Sequence, residues 1–565
     1  MTIPEKRHRL LQAAQREYAH GLYAEAIETC RELLAEAPRD ADALLLAGLA
    51  VASQRQPGHA LAWLKSAARE RPNDAQCWYH LAVTAADMGM PDESVDAYRR
   101  CLALQPRHGD ALLSLAGLCY ARGDASSALP YVERALRERP EDPRLNLFMA
   151  KIFHDLRCLD EAEPWYEMAL KLAPGDPKVQ WEYAMQLLLT GRFENGWEYY
   201  EARVPAFGHQ SVTQYPFPYR PWRGETLEDA TLIVHGEQGL GDEIMFASIV
   251  PELIAQAKKV VLACSPSLAE LFRRSFPGAA IEPLDRSPAA VAQWRPEGPY
   301  PAWLAKYEPI HLQCPMGSLP RFRRASRTAF PTPAAYLAPD PARVAEFGSR
   351  LRDEVGKTAV RKVGLVWMGN LATGLMGQRK SIPLLLLAPL AAIPGVRFVS
   401  LHNAEYGRTA REAPELRIVD FSEDLKTLDD TAALAANCDL VISVDTVVAH
   451  LAGALGIETW VPLWFTADWR YLDRGDTCLW YPHMRLFRQT TAGDWGPLVR
   501  QIATALEALN ADHLPASLPA ARQSGGRPPP LAGEGLGVRA RSRDRSLRAP
   551  SKAEDRKGGR KQGGP

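Results

Sequence analysis

The sequence predicts an α-helical repeat array in its first third, followed by two α/β domains with parallel sheets. Three observations lead to this fold class. Prolines stand 34 residues apart at positions 38, 72, 106, 140 and 174. Two later segments each alternate short β-branched strands with glycine corners and apolar helices, the pattern of βαβ units. Finally, 565 residues are too many for one hydrophobic core.

Small residues recur at two fixed positions of the 34-residue period. The eighth position holds Ala14, Gly48, Ala82, Ala116 and Ala150, and the twentieth holds Ala26, Ala60, Ser94, Ala128 and Ala162. Small side chains there let two helices cross closely, and glycines at 21, 89, 123 and 191 are typical of the turn between them. This spacing resembles the tetratricopeptide repeat, with five full copies and a sixth ending near residue 204.

An array over residues 7–204 would stack its helix pairs into a superhelix with a concave face. By analogy with such arrays, that face would hold peptides or protein partners. The alternative is that the array is a spacer or a dimerisation arm. The sequence favours binding over spacing only modestly, since no row of identical polar residues marks the inner face.

Charge and cysteine content restrict the class of protein. The net charge is zero, but the tail from Ala521 has 12 Lys/Arg and 4 Asp/Glu, which leaves 55 basic and 63 acidic residues before it. A mildly acidic body disfavours a nucleic-acid partner. Nine scattered cysteines without a CxxC pair are typical of free thiols in a reducing compartment. With no secretory signal and no apolar span, a cytoplasmic protein is expected, or one peripheral to the inner face of the membrane.

Residues 205–225, which contain PFPYRPW, are predicted to form an ordered crossover, and residues 226–345 the first α/β domain. There TLIVHGEQ reads as a strand, GLG as a tight loop and DEIMFASIVPELIAQA as one helix. Gly239 and Gly241 allow a sharp turn, but Ile244 replaces the third glycine of a dinucleotide fingerprint, so a nicotinamide enzyme is disfavoured. Asp242 would begin the helix at the ligand-binding edge of the sheet, either as a functional residue or as a plain cap.

The second α/β domain is predicted over residues 358–510. VGLVWMGN forms a strand and a corner at Gly369, LATGLMGQRKS a polar loop, and RFVSLH the next strand. Arg379 and Lys380 in that loop lie on the sheet edge that also receives Thr446. Two cations facing a helix N-terminus suit a diphosphate, although an RK pair is usually an ordinary solvated charge pair.

The stretch DLVISVDTVVAHLAGALG organises this domain. Leu440 to Val444 form a buried strand, and Thr446 can cap a helix from Val447 to Leu455. The free N–H groups of its first turn favour a phosphate. His450 lies four residues after Thr446, so both side chains lie on one face of the helix and are directed toward the same ligand-binding opening. The alternative is that Thr446 only caps the helix and that His450 is hydrogen-bonded to neighbouring residues.

Seven motifs, in order, carry a family resemblance over nearly all of residues 7 to 510. They are GEQGLGDEIMFASIVPEL, VGLVWMGN, RKSIPL, LDDTAALAANCDLVISVDTVVAHLAGALG, DWRYL, WYPHMRLFRQ and GDW. Together they resemble the tetratricopeptide-linked branch of glycosyltransferase family 9, the heptosyltransferase-like proteins of bacteria. The resemblance implies a GT-B fold, in which the first Rossmann-like domain binds the acceptor and the second the nucleotide-sugar donor, with no cofactor and no essential metal.

The resemblance also implies roles for individual residues. Asp242 would act as the base on the acceptor hydroxyl, and a cation at Arg379 or Lys380 would neutralise the leaving diphosphate. The chain departs from the common pattern in LATGLMGQ, where a histidine and an aspartate often precede an Arg-Ser pair. The implied donor- and phosphate-binding residues are Arg379, Lys380, Ser381, Asp445, Thr446, Val447 and His450, with Gly239, Gly241 and Gly369 as loop glycines.

Two functions follow as hypotheses. The first is a glycosyltransferase that moves a sugar from a nucleotide-diphosphate donor to a saccharide or protein acceptor recruited with the help of the array. The second is a non-catalytic repeat scaffold that carries a decayed GT-B module. Trp495 is expected in the core, and residues 515–565, rich in Pro, Gly, Arg and Ser, are expected to be a disordered basic tail.

Overall fold

The computed structural model describes residues 3–207, 214–295, 297–298, 300–330, 335–356 and 360–511. The predicted tail lies outside these residues. The chain divides into two compact units between Pro174 and Gly175, and each is described by itself. Within the described ranges, no helix combines the length and the apolar character needed to cross a membrane.

The first unit consists of five antiparallel helix pairs, one pair for each 34-residue period. Its helices are α1 Ile3–Ala19, α2 Tyr23–Glu36, α3 Ala41–Ser53, α4 Pro57–Glu70, α5 Ala75–Asp87, α6 Pro91–Leu104, α7 Gly109–Ala121, α8 Ala125–Glu138, α9 Pro143–Asp155 and α10 Leu159–Leu172. Aspartates cap the first helix of several pairs: the Asp40 carboxylate accepts the backbone N–H groups of Asp42 and Ala43 at 3.1 Å. The predicted helical repeats are therefore present.

The small residues of the period lie where the two helices of a pair touch. The alanines at the eighth and twentieth positions are almost fully buried. At Gly48 a Cβ atom would stand 2.8 Å from the Leu64 side chain, so the helices meet too closely there for alanine without adjustment. In the third repeat the Ser94 hydroxyl donates to the Ala82 carbonyl at 2.7 Å, which joins the two positions directly. Close helix crossing thus explains the sequence pattern.

The turn inside each pair needs a residue with positive φ. Gly21, Gly89 and Gly123 have φ between 66° and 83° at this position, as predicted. Arg55 and Arg157 take the same conformation, both with φ of 58°, in the two repeats that have no glycine there. The turn geometry is therefore common to all five repeats even where the residue is not.

The second unit begins with three helices, α11 Pro177–Leu189, α12 Phe193–Tyr200 and α13 Arg203–Phe207. Trp197 is buried, and its indole N–H donates to the Arg324 carbonyl at 2.9 Å. The Arg203 guanidinium is fully buried and bonds Glu237 at 2.9 Å and the Ser318 hydroxyl at 2.7 Å. These helices are therefore built into the core of the second unit.

The first sheet contains five parallel strands in the order β1-β5-β2-β3-β4. They are β1 Arg220–Pro221, β2 Thr231–His235, β3 Lys259–Cys264, β4 Ala279–Pro283 and β5 Leu312–Pro315. The helices of this region are α14 Leu240–Ala247, α15 Val250–Gln256, α16 Ala269–Ser275, α17 Pro288–Val291 and α18 Leu319–Arg323. The end of the predicted crossover supplies the edge strand β1, and residues 208–213 of that crossover lie outside the described ranges.

The prediction of one helix over DEIMFASIVPELIAQA is wrong. The helix ends at Ala247, and a second one begins at Val250. Pro251 explains the break, since its nitrogen has no hydrogen to donate to Ala247 and its ring crowds the preceding turn. Asp242 is the third residue of α14, so it does not begin that helix as predicted.

The second sheet has six parallel strands in the order β11-β10-β9-β6-β7-β8. They are β6 Arg361–Val366, β7 Val396–Ser400, β8 Val419–Asp420, β9 Leu440–Ser443, β10 Thr459–Leu463 and β11 Met484–Arg488. The helices here are α19 Pro341–Val355, α20 Leu375–Lys380, α21 Ala404–Gly407, α22 Leu428–Ala435, α23 Val447–Ala454 and α24 Gly496–Ala511. The strand order reverses between β6 and β9, and ligands bind at such a switch point in doubly wound sheets.

The segment LATGLMGQRKS is not the polar loop that was predicted. It folds into a short 3-10 turn over Leu371–Thr373 and the helix α20, separated by Gly374 with φ of 64°. Gly377 permits this compact form, because a Cβ there would lie only 2.0 Å from the Asn370 carbonyl oxygen. Arg379 and Lys380 therefore project from a helix.

The remaining core predictions hold. Trp495 is 4% exposed and packs in the core of the second sheet. All nine cysteines are free thiols, and eight of them are buried. Two α/β regions with parallel sheets thus follow the helical repeats.

Candidate functional site

A cavity of about 620 Å³ opens at the switch point of the second sheet. Its walls include the corner after β6 and the corner after β9 in the second sheet. The start of α14, the helix that follows β2 of the first sheet, also lines it. Lys380, Asp445, Thr446, Val447, Gly241 and Gly369 of the predicted site line it. Residues from four separate motifs are therefore brought to one place.

A half-buried ion pair lines this cavity. The Lys380 ammonium pairs with the Asp445 carboxylate, which also accepts the Tyr471 hydroxyl at 2.9 Å. Burial of the ammonium opposes its charge, yet the carboxylates of Asp445 and Asp468 outweigh that cost and raise the pKa of Lys380. Burial likewise disfavours the Asp445 carboxylate, but Lys380 holds the pKa of Asp445 well below its usual value. Both groups are therefore charged near pH 7.

The N-terminus of α23 faces the same cavity through Thr446 and Val447. Thr446 occupies the N-cap position, but the predicted cap hydrogen bond is not formed. Its hydroxyl lies 3.2 Å from the Ser443 hydroxyl instead. Because the side chain does not occupy them, the first N–H groups of α23 stay available to a bound anion.

His450 is buried one turn further along α23. Its Nδ1 lies 3.0 Å from the Tyr481 hydroxyl, and its ring stacks on Tyr471 with centroids 6.3 Å apart. Burial lowers the pKa of His450 to about 4, against the attraction of the Asp445 carboxylate. The imidazole is therefore neutral at pH 7. Its ring edge meets Gly241, where a Cβ would stand 3.0 Å from Cδ2.

Asp242 lies next to the cavity-lining residues Leu240 and Gly241. Its carboxylate accepts the Gly239 backbone N–H at 3.1 Å and pairs with the Arg470 guanidinium. Arg470 also bonds Asp468 at 2.6 Å and lies over the Trp469 ring. Asp242 thus holds the start of α14, as expected of a residue that only caps the helix. Its carboxylate is also partly exposed.

Arg379 and Ser381 do not share the position of Lys380. The Arg379 guanidinium lies 5.7 Å over the Trp464 ring, and Arg379 is not among the residues that line the cavity. Ser381 accepts the Gly369 N–H at 2.9 Å and donates to the Gly377 carbonyl at 2.8 Å. It therefore closes the corner after β6 rather than facing the cavity.

Sequence reasoning missed the roles of several residues. Arg470 and Tyr471 belong to the DWRYL motif, but nothing in their spacing pointed to Asp242 or Asp445 as partners. His402 was not considered, yet its Nε2 accepts the backbone N–H groups of Trp367 and Met368 at 3.2 and 3.3 Å and so holds the corner after β6. A histidine two residues after a buried strand was the available signal.

The arrangement suits a ligand that is anionic at one end. The Lys380 cation, the Asp445 carboxylate and free helix N–H groups meet in the cavity. The Asp242 carboxylate and the neutral His450 imidazole lie next to Gly241, which lines it. Such groups can hold a phosphate and hydrogen-bond hydroxyl groups.

Comparisons with known proteins match the repeats. A family model described as anaphase-promoting complex, cyclosome, subunit 3 matches residues 19–101, and a tetratricopeptide repeat model matches residues 79–143 and 120–177. Together with the 34-residue helix pairs, these matches show that the N-terminal array consists of tetratricopeptide repeats. The solved structure of MamA is 20% identical and covers 31% of this chain and 96% of its own, with a TM-score of 0.29.

Three relatives extend the comparison. Protein FlbA of Caulobacter vibrioides is 29% identical over 448 residues, which span 77% of this chain and 73% of FlbA. Protein O-mannosyl-transferase TMTC1 of Mus musculus is 26% identical over 28% of this chain and 17% of its own length. A probable biofilm formation methyltransferase, WspC of Pseudomonas putida, is 37% identical over 13% of this chain and 17% of WspC. The latter two similarities therefore concern only a small part of each protein.

Proposed function

We propose that the second unit is a glycosyltransferase that moves a sugar from a nucleotide-diphosphate donor to a saccharide or protein acceptor. The observation that carries this proposal is the half-buried Lys380–Asp445 pair beside the open N-terminus of α23, in a cavity at the sheet switch point. That combination favours a diphosphate. The two parallel sheets would then be the acceptor and donor halves of a GT-B fold.

The chemistry assigns a role to each charged group. Sugar transfer removes a proton from the acceptor hydroxyl, joins its oxygen to the anomeric carbon and breaks the bond from that carbon to the phosphate oxygen. Asp242 would take the proton, while Lys380 and the N–H groups of α23 stabilise the negative charge on the departing diphosphate. Arg470 pairs with Asp468 as well as with Asp242. If Asp242 turns to the acceptor hydroxyl, Arg470 therefore still has a carboxylate partner.

Two further points support a transferase in general. TMTC1 and WspC are named as transferases, although each matches this chain only in part. The tetratricopeptide array gives the chain a surface for a protein or acceptor partner, and we propose that it recruits one.

A scaffold without catalysis is the second candidate. It is favoured by the fact that both acids at the site already have cations, Asp242 with Arg470 and Asp445 with Lys380. Closed pairs of this kind can simply be structural: Asp445–Lys380 within the second sheet region and Asp242–Arg470 between the two sheet regions. In that case nucleotides would not bind and no sugar would be transferred.

Thermal unfolding of the full chain with UDP, ADP or GDP tests the proposal. A nucleotide at about a hundred times its Kd should add roughly 2.7 kcal/mol to the free energy of unfolding. Lys380→Met should abolish most of that gain, measured against its own ligand-free protein. Arg379→Met is the matched control, since it removes an adjacent cation that does not line the cavity.

Transfer is then measured across a panel of labelled nucleotide sugars. Release of the diphosphate together with labelled acceptor supports the glycosyltransferase. The scaffold is supported if no nucleotide diphosphate raises the unfolding temperature at millimolar concentration. Equal loss of binding in Arg379→Met and Lys380→Met would also contradict the cavity as the donor site.

A further inference from the structure

We infer that Arg286 is a positioning residue for Asp242, because it holds both ends of the short segment that carries the Asp242 carboxylate. This segment runs from Gln238 to Glu243 and joins β2 to α14. Arg286 is not among the residues that line the cavity, so it acts through Asp242 and not on the ligand. The inference rests on the proposed function, in which Asp242 is the base.

Arg286 binds this segment at two places. Its Nη2 donates to the Gln238 carbonyl oxygen at 2.9 Å, directly before Gly239, and pairs with the Glu243 carboxylate, directly after Asp242. Gly239 and Asp242 are joined to each other, since the Gly239 N–H donates to the Asp242 carboxylate at 3.1 Å. One guanidinium therefore fixes the residues on both sides of that hydrogen bond.

The Glu243 carboxylate has little freedom to move. Glu243 is only 1% exposed, and its carboxylate accepts the Ser265 backbone N–H at 2.9 Å and the Ser265 hydroxyl at 2.5 Å. That hydroxyl in turn accepts from Arg286 Nη2 at 2.8 Å. A Cβ on Gly236 would stand 2.6 Å from the carboxylate, so the backbone of Gly236 closes a further side. The acid that follows Asp242 is thus enclosed by three separate segments.

These contacts tie the start of α14 to three strand ends of the first sheet. Gly236 directly follows β2, Ser265 directly follows β3, and Arg286 lies three residues after β4. A reacting group must be held within a fraction of an ångström of its productive position, and side chains anchored to a sheet are held more precisely than those on a free loop. The cluster therefore provides the rigid support that a base at Asp242 needs.

Arg470 cannot provide the same support throughout the reaction. It contacts the Asp242 carboxylate itself, from the second sheet region, and has to give way when the acceptor hydroxyl arrives. Arg286 pairs with the neighbouring Glu243 instead, so its contacts can persist while Asp242 takes the proton. The two arginines thus have different tasks.

Transfer kinetics of the full chain with Arg286→Gln test the assignment. Loss of the guanidinium frees both ends of the segment, and a displacement of about 1 Å can cost 10²-fold in rate, so kcat should fall by roughly 10- to 100-fold. The KM for the nucleotide sugar and the Kd of UDP, ADP or GDP should stay close to those of the unchanged chain. The reason is that Lys380 and α23, which would bind the diphosphate, belong to the other sheet region.

Arg324→Gln is the matched control. Arg324 lies in the same sheet region, is also buried and also has a carboxylate partner, Glu252 at 2.6 Å. Its loss should lower the unfolding temperature without lowering kcat. Arg286→Lys keeps a positive charge beside Glu243 and should recover part of the turnover that Arg286→Gln loses. Equal losses of kcat in Arg324→Gln and Arg286→Gln would overturn the inference.

A double-mutant cycle with Asp242→Asn separates positioning from general support of the fold. If Arg286 acts through Asp242, Arg286→Gln should cause no further loss of turnover once Asp242 is already asparagine. The same fold-loss in both backgrounds would contradict the inference, because the guanidinium would then matter whether or not the base is present.

A second variant covers the case in which Arg286→Gln does not fold. Arg286→Met combined with Glu243→Gln removes both charges, so no buried carboxylate is left without its cation. The same fall in kcat is expected. Amide hydrogen exchange over residues 236–243 should become faster in this variant and stay unchanged in Arg324→Gln, which reports the loosened segment independently of activity.

The inference and the proposed function fail in different ways. Unchanged kcat in the Arg286 variants of an active chain, or unchanged exchange over residues 236–243, would overturn the inference alone. If the unchanged chain transfers no sugar from any nucleotide sugar, the proposed function fails and the inference falls with it. The first outcome is read from the variants and the second from the unchanged chain, so the two are distinguishable.

Discussion

At the residue level, the candidate site gives each of its two acids a cation as a partner. Asp445 and Lys380 come from corners of the same sheet, whereas Asp242 and Arg470 come from different sheets. A carboxylate that is paired but partly exposed, as Asp242 is, can exchange its partner for a substrate hydroxyl.

Asp242→Asn separates a catalytic base from a structural acid. An amide accepts the Gly239 N–H about as well as a carboxylate, so a purely structural role predicts near wild-type transfer. As a base, Asp242 should be irreplaceable, and turnover should fall by roughly 10² to 10⁴ while nucleotide binding persists. Asp468→Asn is the control, since it removes the other carboxylate from Arg470. Equal turnover losses in both variants would speak against a base.

Two buried histidines should make the protein sensitive to mild acid. Burial lowers the pKa of both His402 and His450 to about 4, below the usual value near 6.5. The unfolded chain therefore binds more protons between pH 6.5 and 4, and stability that is present above pH 6.5 is lost as the pH falls through this window. Each histidine should cost about 2 kcal/mol between pH 7 and pH 5.

Unfolding by guanidinium at pH 7 and at pH 5 measures this loss. The His450→Gln variant should show a smaller difference between the two pH values, and its absolute stability at pH 7 serves as the reference. The same loss with and without His450 would mean that its imidazole is already protonated or solvated in the native protein.

At the level of elements, glycine positions report how closely helices and corners approach. A Cβ added at Gly377 would lie 2.0 Å from Asn370, and one added at Gly48 would lie 2.8 Å from Leu64. A Cβ added at Gly117 in α7 would meet open space. The first two glycines are therefore needed for close packing. The third is not.

Gly48→Ala and Gly117→Ala should have opposite effects on the array. Alanine favours a helix over glycine by about 0.5–1 kcal/mol, so Gly117→Ala should stabilise α7 by that amount. At Gly48 the added methyl would crowd the buried Leu64, and overpacking typically costs 1–3 kcal/mol, which exceeds the gain. Amide hydrogen exchange in α3, α4, α7 and α8 checks both changes. Stabilisation by Gly48→Ala would show that Leu64 yields easily.

At the level of the whole molecule, the end of the repeat pattern and the start of the second compact unit do not coincide. The last helix pair, α11 and α12, continues the 34-residue period but belongs to the second unit. Trp197 packs on Trp469 with ring centroids 5.3 Å apart, next to Arg470 of the candidate site. The pair thus supports the segment that contacts Asp242.

Two fragments test this division. A fragment that begins at Gly175 should fold and remain soluble, because it keeps Trp197 and the buried Arg203–Glu237 pair. One that begins at residue 205 loses both and leaves Glu237 buried without its cation, which typically costs 3–5 kcal/mol. Circular dichroism and size-exclusion chromatography check the outcome. A stable, monodisperse fragment from residue 205 would mean that the helices are dispensable.

Local features of this protein could be predicted from the sequence. These features include the 34-residue period, the small residues at helix crossings, the buried strands and the grouping of site residues after β6 and β9. All of them depend on patterns within a few dozen residues. Such patterns fix backbone conformation and place strand ends at a common edge. Errors arose where a nearby residue overrode the pattern, as Pro251 did in the helix after β2.

Partnerships between distant residues were decided only by the tertiary structure. Arg470 meets Asp242 across 228 residues, and the Tyr481 hydroxyl meets His450 across 31 residues. No periodicity encodes such pairs, because they depend on how two sheets pack and which side chains that packing buries. Sequence alone therefore determined which residues stand near the site, whereas packing decided their charge partners and their hydrogen-bond partners.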